Sequence, residues 1–350
     1  MLSDDYQRTP AVFLAHGYVG EILGKTVHGV LMHSRVFDVV ALVDRHKAGQ
    51  DTARICPGVT RSVPIHAALE EALAYAPKVL ILAGGPAKDD LDCIRVCLRR
   101  GMDVVNSSFV FLRDVPELVS LAKETGSRLV DLRDVGRSGR DADGSILGIR
   151  AKVVYVMGTD CGLGKRTAAW EMVQEAKSRG LRAAFAATGQ TGQMIGCDGG
   201  IVFDAIPTNF AAGAVEELLV GIDRKGFDLI FLEGQASLMH YAYSSSIALL
   251  HAGNPHAIVL VHDPRRRSHA AMGESPIFRM CELEDEIGII ERLSLPGGNP
   301  FRVVALATIG EECVKELSRR SPLPVADARK PGGAALLLDA VLSHLAREYR

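Results

Sequence analysis

The chain has no apolar run approaching the roughly 18 residues of a membrane-spanning helix, so no membrane partner is expected. Its opening, Met1-Leu2-Ser3-Asp4-Asp5, is acidic and lacks the apolar centre of a secretory signal. It also lacks an excess of either charge. A formal net charge of −2 supplies no basic field to draw the protein to nucleic acid or an anionic surface, so no nucleic-acid partner is expected either. The seven cysteines are dispersed without a CxxC pair. An odd, scattered set suits reduced thiols and an expected cytoplasmic location. Cys93 and Cys97 stand one helical turn apart, and a buried helix face accounts for them better than a metal does. No low-complexity segment or clear repeat is present. What remains is an ordinary globular composition, 47% hydrophobic and 23% charged over 350 residues, enough for two domains.

The first third alternates strand-like and helix-like segments. Ala11–Ala15, Val39–Val43, Val79–Ala83 and the run from Val104 read as strands. Glu21–His33, Pro64–Tyr75 and Asp89–Arg100 read as helices, and Gly84-Gly85-Pro86 closes the third strand. This β-α-β order predicts a parallel, doubly wound sheet. The first turn, Gly17-x-x-Gly20-x-x-x-Gly24, is not the GxGxxG of a dinucleotide site, although Asp44 falls about where a ribose-binding acid would stand. NAD binding is therefore a minor alternative to a Rossmann-like domain that shapes a cleft or an oligomer interface. Residues 133–150, rich in Gly, Asp, Arg and Ser, read as an exposed linker. The expected fold is α/β with two doubly wound parallel-sheet domains. A Rossmann-like N-terminal domain covers 1–132, and a P-loop NTPase-like domain covers 151–350.

The second domain carries the strongest signal. The apolar strand Lys152–Met157 runs into Gly158-Thr159-Asp160-Cys161-Gly162-Leu163-Gly164-Lys165-Arg166-Thr167 and then into helix-forming residues. Strand, glycine-rich turn and helix in this order form a phosphate-binding loop: glycines let backbone N–H groups turn inward, the helix N-terminus adds partial positive charge, and Lys165 adds a full one. The usual loop has Ser or Thr directly after the lysine to hold Mg²⁺. Here Arg166 intervenes, and one residue rotates a helical side chain by roughly 100°. Phosphate binding is expected; Mg²⁺-dependent hydrolysis is less favoured.

Three further turns follow predicted strands, where ligands bind in such sheets. The small, polar stretch Ala187–Met194 contains Thr188, Gln190 and Thr191. Leu232-Glu233-Gly234-Gln235 places an acid at a strand tip, able to ligate Mg²⁺, accept a proton or hold an amine. His262-Asp263-Pro264-Arg265-Arg266-Arg267 offers a histidine for proton transfer and arginines for carboxylates or phosphates. His240 and His251 read as packed or surface residues.

The loop Gly158-Thr159-Asp160-Cys161-Gly162-Leu163-Gly164-Lys165 and the Leu232-Glu233-Gly234 turn resemble dethiobiotin synthetase. A closer likeness is to the D-glutamate N-acetyltransferase-like family, formerly a domain of unknown function, which pairs a Rossmann-like domain with a dethiobiotin-synthetase-like P-loop domain. The shared features are the Gly-Thr-Asp-Cys loop with one residue between Lys and Thr, Thr188-Gly189-Gln190-Thr191-Gly192, Asp198-Gly199-Gly200, Ala212-Gly213-Ala214-Val215-Glu216 and Glu233-Gly234-Gln235. The resemblance implies transfer of an acetyl group from acetyl-CoA to a small acidic amino acid of D-glutamate type. It implies Lys165 and the N–H groups of Gly162 to Lys165 on CoA phosphates, Glu233 or His262 as base, and Gln190 or Thr191 orienting the thioester. Arg265 or Arg266 would hold substrate carboxylates, with Thr188 and Gln235 also facing substrate. The alternatives are an ATP- and Mg²⁺-dependent ligase or kinase, with Asp160 and Glu233 on the metal, and a non-catalytic nucleotide-binding protein. A homo-oligomer is expected.

Overall fold

The computed structural model describes residues 2–21, 24–56, 58–84, 88–135, 139–270, 272 and 275–349. The chain divides into two compact units. One comprises Met1–Arg137 with Gln190–Cys197, and the other Ser138–Gly189 with Asp198–Arg350.

The first unit is built on β1 (Thr9–Leu14), β2 (Phe37–Val43), β3 (Ile65–His66), β4 (Val79–Leu82), β5 (Asp103–Asn106) and β6 (Leu129–Asp131). The order is β3-β2-β1-β4-β5-β6 and every pairing is parallel. This is the Rossmann order, with the chain reversing direction between β1 and β4. Helices cover the sheet, so its strands are apolar on both faces; Val12, Leu14, Leu80, Leu82 and Val104 lie in one core with Ile94 and Leu98. The helix Pro116–Thr125 starts at a proline whose missing N–H costs nothing there, and stops at Gly126 in the left-handed conformation.

Two expectations are corrected here. Pro64–Tyr75 is not one helix: Ile65 and His66 pair in parallel with Leu42 and Val43, and the helical part begins only at Leu69, an α-turn Leu69–Ala72 followed by a 3-10 turn Leu73–Tyr75. Two residues completing a sheet edge are too few to leave a periodic signature. The helix expected at Glu21–His33 runs Lys25–His33; Ile22 and Leu23 lie outside the described residues, as do Gly85 and Pro86 of the predicted turn. Asp44 is fully buried and accepts from the backbone N–H groups of Gly17 (3.1 Å) and His46 (2.9 Å). It braces the first turn. Tyr18 occupies the crevice at the switch point, so close to Gly84 that a Cβ there would sit 2.5 Å from its hydroxyl.

The second unit is a seven-stranded parallel sheet. Its strands are β7 (Lys152–Gly158), β8 (Ala183–Ala187), β9 (Gly199–Gly200), β10 (Leu229–Glu233), β11 (Ala257–Val261), β12 (Val303–Ala307) and β13 (Val325–Ala326). They lie in the order β13-β12-β11-β7-β10-β8-β9. β7 is central, flanked by β10 and β11, so the loop that follows it sits beside the tips of both neighbours. Tyr155 and Met157 of β7 join Ile230, Leu232, Ile258 and Leu260 in the core. Residues 139–150 belong to this unit: Asp143 N–H donates to Glu216 (2.8 Å) and Ile146 is buried in the core. Gly136, Arg137 and Ser138 lie outside the described residues. The polar stretch after β8 is a turn only at Thr188 and Gly189; Gln190–Ile195 is a helix. Among the described residues, no helix is long and apolar enough to cross a membrane.

Candidate functional site

The loop after β7 has the backbone of a phosphate cradle. Gly162 (φ +66°) and Gly164 (φ +96°) adopt left-handed conformations that side chains disfavour, and the helix Lys165–Ser178 starts directly after them. Gly158 gives way to the lysine: a Cβ there would lie 2.7 Å from Lys165 Cδ. The stem of Lys165 can therefore fold back over the loop, where its buried Nζ donates to the Asp160 carbonyl at 2.5 Å. Thr167 is half-buried, one step beyond Arg166 on the helix.

Asp160 is the hub of the site, with a completely buried carboxylate. Its Oδ2 accepts from Arg266 (2.5 Å) and from the N–H of Ala270 (2.8 Å). Its Oδ1 faces His269 Nδ1 at 3.3 Å and His240 Nε2 at 3.6 Å. Burial pushes this carboxyl up, but the amides of Ala270 and Cys161 and the Arg266 guanidinium outweigh it and hold the group below its ordinary range. His240 Nδ1 accepts the Ala242 N–H at 3.1 Å, so its Nε2 carries the proton and points it at Asp160. Burial, then the neighbouring His269 ring 4.3 Å away, push the His240 imidazole down, so it is neutral near pH 7.

The other strand tips are tied to the loop. Thr159 Oγ1 meets His262 Nδ1 at 2.8 Å. His262, buried at the end of β11, is pushed below the ordinary imidazole range, chiefly by desolvation. Glu233, at the tip of β10, accepts from Thr188 N–H at 3.1 Å. The Thr188 hydroxyl donates to the Glu233 carbonyl (2.9 Å) and in turn accepts from Gln235 Nε2 (2.7 Å). Arg166 turns back to Glu233, with 3.9 Å between NH1 and Oε1; burial pulls that guanidinium down and Glu233 opposes it.

Within this unit the structure thus brings Lys165, Arg166, Asp160, Cys161, Glu233, Thr188, Gln235, His262 and Arg266 to neighbouring strand tips. Arg265 points elsewhere: it is mostly exposed and forms a two-pronged pair with Asp263, with both contacts at 2.9 Å. Gln190 and Thr191 belong to the first unit, where the Thr191 hydroxyl meets that of Thr26 at 3.0 Å.

The sequence reading missed the two histidines on Asp160. His240 reads from the sequence as a packed or surface residue, and His269 carries no motif. Arg279 and Arg320 also carry no sequence signal that joins them to Arg266 and Arg267. Arg266, Arg267, Arg279 and Arg320, with His262, Cys281 and Glu282, line a cavity of about 350 Å³. Arg279 and Arg320 come from separate elements with no local pattern to join them.

One cluster of side chains offers donors of the kind that hold a cation. Asp160, Cys161 and His240 place ligand-type atoms within 4.8 Å of one another. The fit is poor, because His240 Nε2 bears a proton and Asp160 already holds a guanidinium. Glu233 likewise faces Arg166.

A Rossmann-ordered unit joined to a P-loop unit defines the class, a two-domain P-loop protein. The family models agree: one described as a P-loop domain of unknown function, DUF1611_C, matches residues 140–337, and its Rossmann-like partner, DUF1611_N, matches residues 45–135. The chain belongs to the DUF1611 family. It is 34% identical over 287 residues to a protein of Tritonibacter scottomollicae named D-glutamate N-acetyltransferase, covering 78% of this chain and 84% of that one. A Pseudoalteromonas protein of the same name is 32% identical over 265 residues, covering 73% and 76%. The crystal structure of a DUF1611 family protein from Anabaena variabilis superposes with a TM-score of 0.87 at 31% identity, covering 96% of this chain and 99% of that one.

Proposed function

We propose that the protein transfers an acetyl group from acetyl-CoA to the amine of a small acidic amino acid of D-glutamate type, with the phosphate loop holding the donor. The observation that carries this reading is that both acids suited to Mg²⁺ are engaged by arginines, Asp160 by Arg266 and Glu233 by Arg166. A loop so arranged binds phosphates through Lys165 and its backbone N–H groups and needs no divalent ion to do so. The names of the two relatives support the same chemistry.

In this reading the neutral amine attacks the thioester carbonyl. A C–N bond forms, the C–S bond breaks, and CoA leaves as a thiol after taking up a proton. His262, neutral near pH 7 and held by Thr159, accepts the amine proton. Glu233 is bound by an amide and faces a guanidinium, so it holds the β8 and β10 tips in register rather than taking a proton.

Equilibrium binding tests the reading against ATP-dependent chemistry. Acetyl-CoA is expected to bind equally well with EDTA or Mg²⁺. Binding of ATP that requires Mg²⁺, with no affinity for acetyl-CoA, would favour the ligase or kinase reading.

A further inference from the structure

The arginines of the second unit divide into two groups. Arg265 is committed to Asp263, Arg266 to Asp160, and Arg320 to Glu282 and Glu284 at 3.4 and 3.7 Å. Arg267 and Arg279 have no carboxylate within ion-pair distance among the described residues, yet both line the 350 Å³ cavity. They are placed there by a short antiparallel pairing: Ser268 lies opposite Arg279, His269 N–H donates to the Phe278 carbonyl (2.8 Å), and Met280 N–H donates to the Arg267 carbonyl (3.0 Å). Backbone bonding thus holds at one cavity two exposed guanidiniums that have no ion-pair partner among the described residues. Glu282 lies on the same wall but faces Arg320 at 3.4 Å, so the arginines outnumber it and favour an anion.

The cavity shares a wall with the phosphate loop. Arg266 and His262 line it, while Arg266 also binds Asp160 and the Cys161 carbonyl (2.6 Å) and His262 binds the Thr159 hydroxyl. Cys281, also on the wall, is pushed up to about 12 by burial and the neighbouring Glu286. It stays an uncharged thiol and does not oppose an anion. The volume is at the small end of the ligand-pocket range, about 300–1,000 Å³, and suits a compact molecule better than a nucleotide.

We propose that this cavity is the acceptor site, taking a small dicarboxylate amino acid whose carboxylates are held by Arg267 and Arg279. The proposal rests on the acyl-transfer reading, since it makes the cavity the second substrate site beside the donor loop. Planar guanidinium forks match carboxylates in two-pronged fashion. The site places the bound amino acid beside His262.

The test is calorimetric binding to the full chain of D-glutamate, glutarate and inorganic phosphate. It compares the wild type with Arg267→Gln, Arg279→Gln and Lys165→Ala. D-Glutamate and glutarate are expected to bind the wild type and Lys165→Ala alike, and to bind each arginine variant at least about tenfold more weakly. Phosphate is expected to respond to Lys165→Ala and not to the arginine variants. Unchanged dicarboxylate affinity in both arginine variants overturns the proposal. So does an arginine-dependent affinity for phosphate alone, or no dicarboxylate binding by the wild type. Thiol release from acetyl-CoA, measured on the same proteins, separates the two claims. Release with an unchanged KM for D-glutamate in the arginine variants rejects the cavity and keeps acyl transfer. Arginine-dependent dicarboxylate binding without release by the wild type keeps the cavity and rejects acyl transfer.

Discussion

Replacing Lys165 with alanine is expected to weaken CoA binding while leaving the fold intact. The Nζ is buried and rests 2.5 Å from the Asp160 carbonyl, within the loop that would surround a phosphate. A hydrogen bond to a charged group contributes about 1.5–3 kcal/mol, so losing the lysine–phosphate contact should raise Kd by about 10- to 150-fold. Little stability should be lost, because alanine favours the helix that begins at this position and the departing stem only overlies Gly158. Calorimetric titration with CoA in EDTA measures the effect, and circular dichroism checks the fold. A variant of native spectrum that binds CoA with wild-type affinity would refute the placement of donor phosphates in this loop.

Two pH effects follow from buried histidines. His256 Nδ1 accepts the Val153 N–H at 3.1 Å, and burial, then Lys152, lower its pKa to about 4. The unfolded chain takes up this proton near pH 6.5 and the folded chain only near 4. The stability contribution is therefore complete above about pH 6.5 and is lost as pH falls toward 4, by on the order of 3 kcal/mol. Urea unfolding across that range should show the loss in the wild type and a flatter profile in His256→Asn; equal slopes contradict the assignment. His262 is lowered mainly by desolvation, so the acid limb of kcat/KM should fall below the ordinary imidazole value of about 6.5. That limb should disappear in His262→Gln, and a limb that persists unchanged there removes His262 as the base.

What could be read from the sequence was what is local. The phosphate loop announced itself because strand, glycines, lysine and helix are contiguous, and the parallel sheets followed from the apolar strands between helical segments. Two short elements escaped for a related reason: Ile65–His66 becomes a strand only by pairing with β2, and Gln190–Ile195 is a six-residue helix whose small polar residues read as a turn. Within the site, Lys165, Glu233 and His262 stood out because each follows a strand. The Asp160 hub and the arginine cavity did not, because they gather His240, His269, Arg279 and Arg320 from distant segments. Arg265 shows the converse, since a run of three arginines gives no sign that one is spent on its neighbour Asp263.

The most direct measurement is thiol release from acetyl-CoA by the purified protein with D-glutamate, with L-glutamate and with no amino acid, each with and without Mg·ATP. The account predicts release that requires the acidic amino acid, favours the D form and is indifferent to Mg·ATP. No release in any mixture, with phosphate or ADP appearing instead, would contradict it and assign the loop to ATP-dependent chemistry.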